Sequence, residues 1–128
     1  MNPELMNSLV LAYLGDSIIE LMVREYLIRN SASKKVNDLY HEATHFVSSD
    51  AHADFVGHCL ENEFFTEHET AIYKRGRNTR NHKNETAQHR HSTGFEALIG
   101  YLYLNDEKAR IDEIFAEFIR FVSETDLK

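Results

Sequence analysis

The sequence has few of the residues that cross-link a chain or interrupt helices. Its 128 residues include one cysteine, one proline, five glycines and no tryptophan. The single cysteine, Cys59, excludes an intrachain disulfide and a zinc site built from several cysteines. The longest apolar runs, Leu9–Leu14 and Ala97–Leu104, are far shorter than the roughly 18 residues that cross a bilayer. The first residues carry Glu4 and no cation, unlike a secretory signal, so we expect a cytoplasmic protein without membrane spans.

Apolar residues recur at helical spacing along most of the chain, and no alternating strand pattern is present. The first helical stretch follows the Asn2-Pro3 pair and carries two apolar stripes, which predicts a helix buried on most sides and broken or kinked near Gly15. The Thr66–Glu69 segment matches a capping box that opens a later helix. The length fits one domain, 1–128. The sequence therefore predicts an all-α domain of about six or seven helices.

Positive charge is concentrated in residues 74–91, which we call the basic segment. The whole chain has a net charge of −7, but this segment holds six cations and one acid, Glu85, for a net +5, which leaves −12 for the remainder. His82, His89 and His91 add charge there when protonated. We expect the basic segment to hold an anionic partner, with a solvated loop as the alternative. Its cations are Lys74, Arg75, Arg77, Arg80, Lys83 and Arg90.

Two acids stand in strongly apolar surroundings, Asp16 within LAYLGDSIIELM and Glu96 within GFEALIGYLYL. A buried carboxylate is costly unless it is paired, hydrogen-bonded or bound to a metal. A structural ion pair or a helix cap is the alternative for either acid alone. Two such acids beside a basic segment favour a Mg²⁺ site, since this cation binds one or two carboxylates, water and substrate phosphate. Glu20, one turn after Asp16, is a weaker candidate ligand.

The string His41-Glu42-Ala43-Thr44-His45 matches the HExxH pattern of zinc proteases. One class of these enzymes continues the pattern with glycine at position 48 and a third histidine at position 51. This chain has Ser48 and Ala51 there. No predicted strand supports a substrate edge. A zinc hydrolase is therefore an alternative that lacks its third ligand.

Several longer segments resemble one enzyme family. YLGDSIIELMVREYL resembles the LGD segment of ribonuclease III domains. VNDLYHEATHFVS, KRGRN and HSTGFEALIGYLYL resemble Mini-ribonuclease III, whose members lack a separate double-stranded-RNA-binding domain. The resemblance runs from about Ser8 to Leu104. It implies a ribonuclease III endonuclease-domain-like helical bundle, a homodimer, Mg²⁺-dependent cleavage of double-stranded RNA, and a role in maturation of ribosomal RNA, such as the 23S precursor.

The resemblance assigns roles to individual residues. Asp16 and Glu96 match the metal-binding, catalytic acids of the LGD and EAL motifs. Ala12 and Thr93 stand where full-length ribonuclease III has two further acids, and Gly94 stands where alanine is usual. RGRN lies at the edge of the RNA-binding loop, so the expected RNA-binding residues are Lys74, Arg75, Arg77, Asn78, Arg80, Lys83 and Arg90.

Two further expectations concern assembly and activity. A duplex has two strands to cut, so we expect a two-fold dimer. Its interface is predicted at Leu9–Leu14 or on the helix with Phe55 and the Phe64-Phe65 pair. The alternative function is a catalytically silent, helical RNA-binding dimer in which Asp16 and Glu96 are structural.

Overall fold

The computed structural model describes residues 1–80 and 84–126, which form a short 3₁₀ turn and six α-helices. No β-strand occurs in these residues, so the all-α prediction is confirmed. No helix among them is long and apolar enough to cross a membrane. The turn spans Pro3–Leu5, and the helices are α1 (Ser8–Asn30), α2 (Val36–Val47), α3 (Ser49–Glu61), α4 (Glu67–Asn78), α5 (Ala87–Leu104) and α6 (Lys108–Asp126).

Most of the helices begin at a side chain that accepts a hydrogen bond from an otherwise unpaired backbone N–H. Asn7 caps α1, Ser48 caps α3 and Thr86 caps α5 in this way. The predicted capping box is confirmed, because Thr66 accepts from the Glu69 N–H and the Glu69 carboxylate accepts from the Thr66 N–H. Local sequence therefore sets where these helices start.

Helix α5 runs through the centre of the molecule and packs against α1, α3 and α4. Ten of its residues between Ser92 and Leu102 are buried, and only Glu96 in that stretch is partly exposed. The rings of Phe55, Phe95 and Phe118 meet edge to face or tilted beside it, with centroids 5.0–5.7 Å apart. Phe55 and Phe65 are thus core residues, and the predicted interface on them is wrong because the monomer already buries both rings.

Helices α1 and α5 cross with their backbones in direct contact, and glycines make this possible. A Cβ on Gly15 would lie 1.8 Å from the Glu96 carbonyl oxygen, and one on Gly100 would lie 2.0 Å from the Leu11 carbonyl oxygen. The predicted break near Gly15 is wrong, since α1 continues through it for 23 residues. Gly15 instead lets α5 approach closely, which places Asp16 beside Glu96.

Candidate active site and nucleic-acid interface

The carboxyl groups of Asp16 and Glu96 meet where α1 crosses α5. Glu96 is partly buried, and its pKa is raised from 4.5 to about 8, first by burial and then by a hydrogen bond and the charge of Asp16. At neutral pH the pair therefore holds a proton on Glu96. Two acids 80 positions apart in the sequence therefore form one site, at which Asp16 contributes to the raised pKa of Glu96.

Asp16 is exposed, so the prediction that it is buried is wrong. That prediction assumed that both apolar stripes of α1 face the core. Only one does. The stripe with Ala12, Ile19 and Val23 is buried at these positions, whereas the other is exposed at Val10, Leu21 and Ile28. Asp16 is therefore accessible to a large substrate, with Glu96 behind it.

The residues at this site suit a hard divalent cation. Two carboxylates offer the oxygen ligands that Mg²⁺ prefers, and water and substrate phosphate can complete its coordination. The described residues contain no group of three histidine, cysteine or acidic side chains placed to hold a metal. Glu20, the weaker candidate, forms an ion pair with Arg24 at 3.0 Å. Asp16 and Glu96 are thus the two residues that could hold the ion.

The zinc-protease pattern on α2 does not form a three-ligand site in the described part of the chain. The rings of His41 and His45 lie 6.1 Å apart, centroid to centroid, and both side chains are exposed. Glu42, which would be the general base, accepts a hydrogen bond from Ser31 at 3.0 Å. The structure gives the zinc-hydrolase alternative no support.

His52 is a buried histidine near the carboxylate pair that the sequence analysis did not select. Its Nδ1 is 2.7 Å from the Ser92 hydroxyl, one turn before Glu96. Burial lowers its pKa to about 4, while the Phe46 backbone and the Asp16 charge oppose that shift. Its Nε2 is buried and has no hydrogen-bond partner among the described residues. His52 is neutral at pH 7 and holds Ser92 in place.

The basic segment spans the end of α4 and the start of α5. Lys74 and Arg80 are exposed, while Arg77, Asn78, Arg90 and His91 surround one small cavity. Lys83 and His82 lie outside the described residues. The RNA-binding role of this segment stays a prediction, but Lys74, Arg80 and Arg90 are exposed to solvent.

Arg75 holds the N-terminal residues onto α4. Its guanidinium donates to the Glu4 carbonyl at 2.8 Å, the Ser8 hydroxyl at 3.3 Å and the Met6 carbonyl at 3.5 Å. The Glu4 carboxylate, in turn, accepts hydrogen bonds from Tyr101 and lies 2.7 Å from the His68 ring. Arg75 therefore holds the N-terminal residues in place, a role that its position in the basic segment does not predict.

Arg75→Ala should lower the free energy of unfolding by about 1 kcal/mol, since it removes hydrogen bonds that are partly open to water. Urea denaturation would measure the change. Lys74→Ala is the matched control, because Lys74 is the exposed cation next to it. Equal stability for the two variants would contradict the structural task of Arg75.

Comparison with known proteins gives concordant matches. The Ribonuclease III domain family model matches residues 9–107. The chain is 42% identical to Mini-ribonuclease 3 of Enterococcus faecalis over 127 residues, covering 96% of each chain. It is 37% identical to Mini-ribonuclease 3 of Staphylococcus aureus, covering 94% of this chain and 92% of that one. A crystal structure of a protein from Fusobacterium nucleatum has the same fold, with a TM-score of 0.76 at 24% identity, covering 89% of this chain and 92% of the other.

Proposed function

This chain belongs to the ribonuclease III family of endoribonucleases, and we propose that it cleaves double-stranded RNA with Mg²⁺ held by Asp16 and Glu96. One observation carries the proposal. Burial raises the pKa of Glu96 to about 8, and Asp16 adds to this shift by hydrogen bonding and by its charge, so the two carboxyl groups share one site. Such a pair is unfavourable when both members are ionised, and a cation between them removes the repulsion.

The proposal assigns a role to each carboxylate and to two residues beside them. Asp16 and Glu96 would supply carboxylate oxygens, and Glu96 would release its proton on binding the cation. Bound Mg²⁺ supplies charge neutralisation at the phosphodiester and activation of the attacking water. Gly15 fixes the distance between the two helices, and His52 supports α5 through Ser92.

The proposed substrate is double-stranded RNA, whose recognition does not require residues that read the bases. Proteins recognise double-stranded RNA mainly by its shape, through phosphates and 2′-hydroxyls. The basic segment supplies the cations for such contacts, while the rest of the acidic chain repels RNA. Following the resemblance, we propose that the natural substrate is a ribosomal RNA precursor, the 23S precursor, and that the enzyme acts in the cytoplasm.

The direct test is cleavage of a long RNA duplex by the purified chain. We expect products with Mg²⁺ and none with EDTA, and little cleavage of a single strand of the same sequence. Duplex binding without products at any Mg²⁺ concentration would favour the catalytically silent alternative.

The exposed apolar stripe of α1 supports the proposal of a homodimer. Val10, Tyr13, Leu21 and Ile28 lie on one face of the helix, and each is more than half exposed, Tyr13 at 84%. An apolar stripe of this kind typically marks a protein interface. The stripe includes part of the predicted Leu9–Leu14 interface and lies beside Asp16, so a two-fold partner would bring two carboxylate pairs to one duplex.

Tyr13→Gln should weaken dimerisation by about a hundredfold, because aromatic anchors at the centre of an interface carry much of its binding energy. Sedimentation at micromolar concentration would measure the shift from dimer to monomer. Tyr103→Gln on α5 is the matched control, since Tyr103 is a partly exposed tyrosine away from the stripe. A wild-type monomer at these concentrations would contradict the proposed dimer.

The raised pKa of Glu96 makes the stability of the metal-free protein depend on pH. The folded chain holds a proton that the unfolded chain releases above pH 4.5, so this stabilisation is complete below pH 4.5 and is lost as pH rises through about 8. Between about pH 6 and 9, the melting temperature of the wild type in EDTA should fall more steeply than that of Glu96→Gln, which keeps a neutral side chain. Parallel curves would contradict the shifted pKa.

A further inference from the structure

A small cavity where α4 ends and α5 begins offers hydrogen-bond donors to whatever enters it. Its volume is about 160 Å³, and it is lined by Arg77, Asn78, Ala87, Arg90 and His91, with no carboxylate among them. The Arg77 Nε donates to the Asn78 Oδ1 at 3.1 Å. This bond occupies the amide oxygen of Asn78 and leaves its NH₂ group to donate. We call this space the donor cavity.

Tyr73 determines which nitrogen of His91 carries the proton. The Tyr73 hydroxyl is hydrogen-bonded to the His91 Nδ1, and the two rings are stacked with an interplanar angle of 10°. Burial raises the pKa of Tyr73, so its hydroxyl stays protonated and can donate a hydrogen bond to Nδ1. With the hydroxyl as the donor, the proton of neutral His91 is on Nε2, which makes this ring a donor as well.

Gly94 makes room for this arrangement. A Cβ at position 94 would lie 2.7 Å from Cδ1 of the Tyr73 ring and 2.7 Å from the Tyr73 carbonyl oxygen. The Arg77 guanidinium lies over the Tyr73 ring, 5.8 Å from its centroid. Gly94 thus leaves space for a tyrosine ring that contacts both Arg77 and His91.

We propose that the donor cavity binds one phosphate group and that, in the enzyme at work, this group is a backbone phosphodiester of the RNA duplex. The second part rests on the proposed function. Two guanidinium groups, an amide NH₂ and an imidazole N–H match the oxygens of a phosphate, and arginine is well suited to such forked contacts. Ala87 places the first turn of α5 at the cavity, where the helix dipole also favours an anion.

The charges around His91 make phosphate binding depend on pH. Burial lowers the pKa of His91, and the charges of Arg77 and Arg90 lower it further. Among the described residues, Arg77 on α4 and Arg90 on α5 act on the ring through their charges, and Tyr73 on α4 contacts it. An anion in the cavity would oppose the effect of both arginines, so bound phosphate should raise the pKa of His91. Affinity for an RNA phosphodiester, whose own charge is constant in this range, should therefore rise as pH falls from about 7.5 to 6.

The first experiment follows the His91 ring nitrogens by NMR while inorganic phosphate is added at constant ionic strength. Phosphate should shift the His91 signals of the wild type, and Arg90→Gln should weaken that binding by about tenfold, the usual effect of a lost charged hydrogen bond. Arg29→Gln is the control, because Arg29 is an exposed arginine on α1 that pairs with Glu25. Arg90→Lys keeps the charge and should retain most of the affinity.

The second experiment measures duplex RNA binding in EDTA over a range of salt concentrations. Arg90→Gln should weaken binding about tenfold for every duplex sequence and reduce the slope of log affinity against log salt by about one. Arg29→Gln and Arg90→Lys should keep the wild-type slope.

Tyr73→Phe tests the positioning role of the hydroxyl without removing the ring. We expect a loss of duplex affinity of about threefold, together with a change in the ¹⁵N shifts that report the His91 tautomer. Tyr103→Phe, which removes a tyrosine hydroxyl at the other end of α5, should change neither. An unchanged His91 tautomer in Tyr73→Phe would overturn the role of Tyr73.

The outcomes separate this proposal from the proposed function. If the wild type cuts duplex RNA while Arg90→Gln binds it with unchanged affinity and slope, the donor cavity does not hold a backbone phosphate and the proposed function stands. If the wild type neither binds nor cuts a duplex, the proposed function fails. The phosphate titration alone then decides whether the donor cavity binds a phosphate group. If phosphate shifts the NMR signals of His91 equally in the wild type and in Arg90→Gln, it is an adventitious ion only, and the proposed phosphate site is wrong.

Discussion

Asp16→Asn is expected to slow cleavage of duplex RNA by at least about a thousandfold, equivalent to roughly 4 kcal/mol of transition-state stabilisation. An amide is a neutral and weaker ligand than a carboxylate, so the remaining pair would hold Mg²⁺ poorly. Single-turnover cleavage of a labelled duplex under saturating enzyme separates this loss from any change in RNA affinity.

The same substitution should leave the fold intact. Asp16 is exposed, and its charge contributes to the raised pKa of Glu96, so the amide removes an unfavourable interaction in the metal-free chain. Melting temperature and duplex affinity in EDTA should both stay close to wild-type values. Asp112→Asn on α6 is the matched control, an exposed aspartate away from the site, and should cut at the normal rate. Cleavage by Asp16→Asn within tenfold of wild type would exclude Asp16 from the reaction.

Gly15→Ala should lower the free energy of unfolding by at least about 3 kcal/mol, at the upper end of the usual cost of overpacking. The added Cβ would lie 1.8 Å from the Glu96 carbonyl oxygen, and this neighbour is backbone that cannot rotate away. The two helices must separate, which also moves Asp16 away from Glu96. Urea denaturation would measure the loss of stability, and the residual folded protein should cleave poorly.

Gly57→Ala provides the control within the same chain. Gly57 lies inside α3, and a Cβ there would meet no atom within 4 Å. Alanine is the better helix former, so this variant should be more stable than wild type by about 0.5–1 kcal/mol. If Gly15→Ala were as stable as Gly57→Ala, the close crossing of α1 and α5 would be wrong.

Helix content and helix starts could be predicted from the sequence because both depend on neighbouring residues. The spacing of apolar residues and the Thr66–Glu69 capping box carry that information locally. The burial of Asp16 could not be predicted in the same way. Both stripes of α1 are apolar, and only the packing of α5 decides which of them faces the core.

Gly15 illustrates the same limit. A glycine within a helix pattern can mark a break or a close approach, and these differ only in what lies opposite. The pairing of Asp16 with Glu96 is expected from their apolar surroundings and from the family resemblance, not from their spacing. His52 and the Tyr73–His91 contact gave no sequence signal, since the chain has eight histidines and six tyrosines and tertiary packing alone distinguishes these three.

During synthesis, the two halves of the proposed active site leave the ribosome far apart in time. Asp16 lies on the first helix to be made, but its partner Glu96 lies on α5, which ends at Leu104. Until α5 emerges, the buried residues of α1 lack the helix that covers them, and Gly15 has no backbone opposite it. At about 5–20 residues per second, the nascent chain spends several seconds without a complete active site. If Asp16 and Glu96 form the active site as proposed, an incomplete chain would therefore have no nuclease activity toward the RNA that surrounds it.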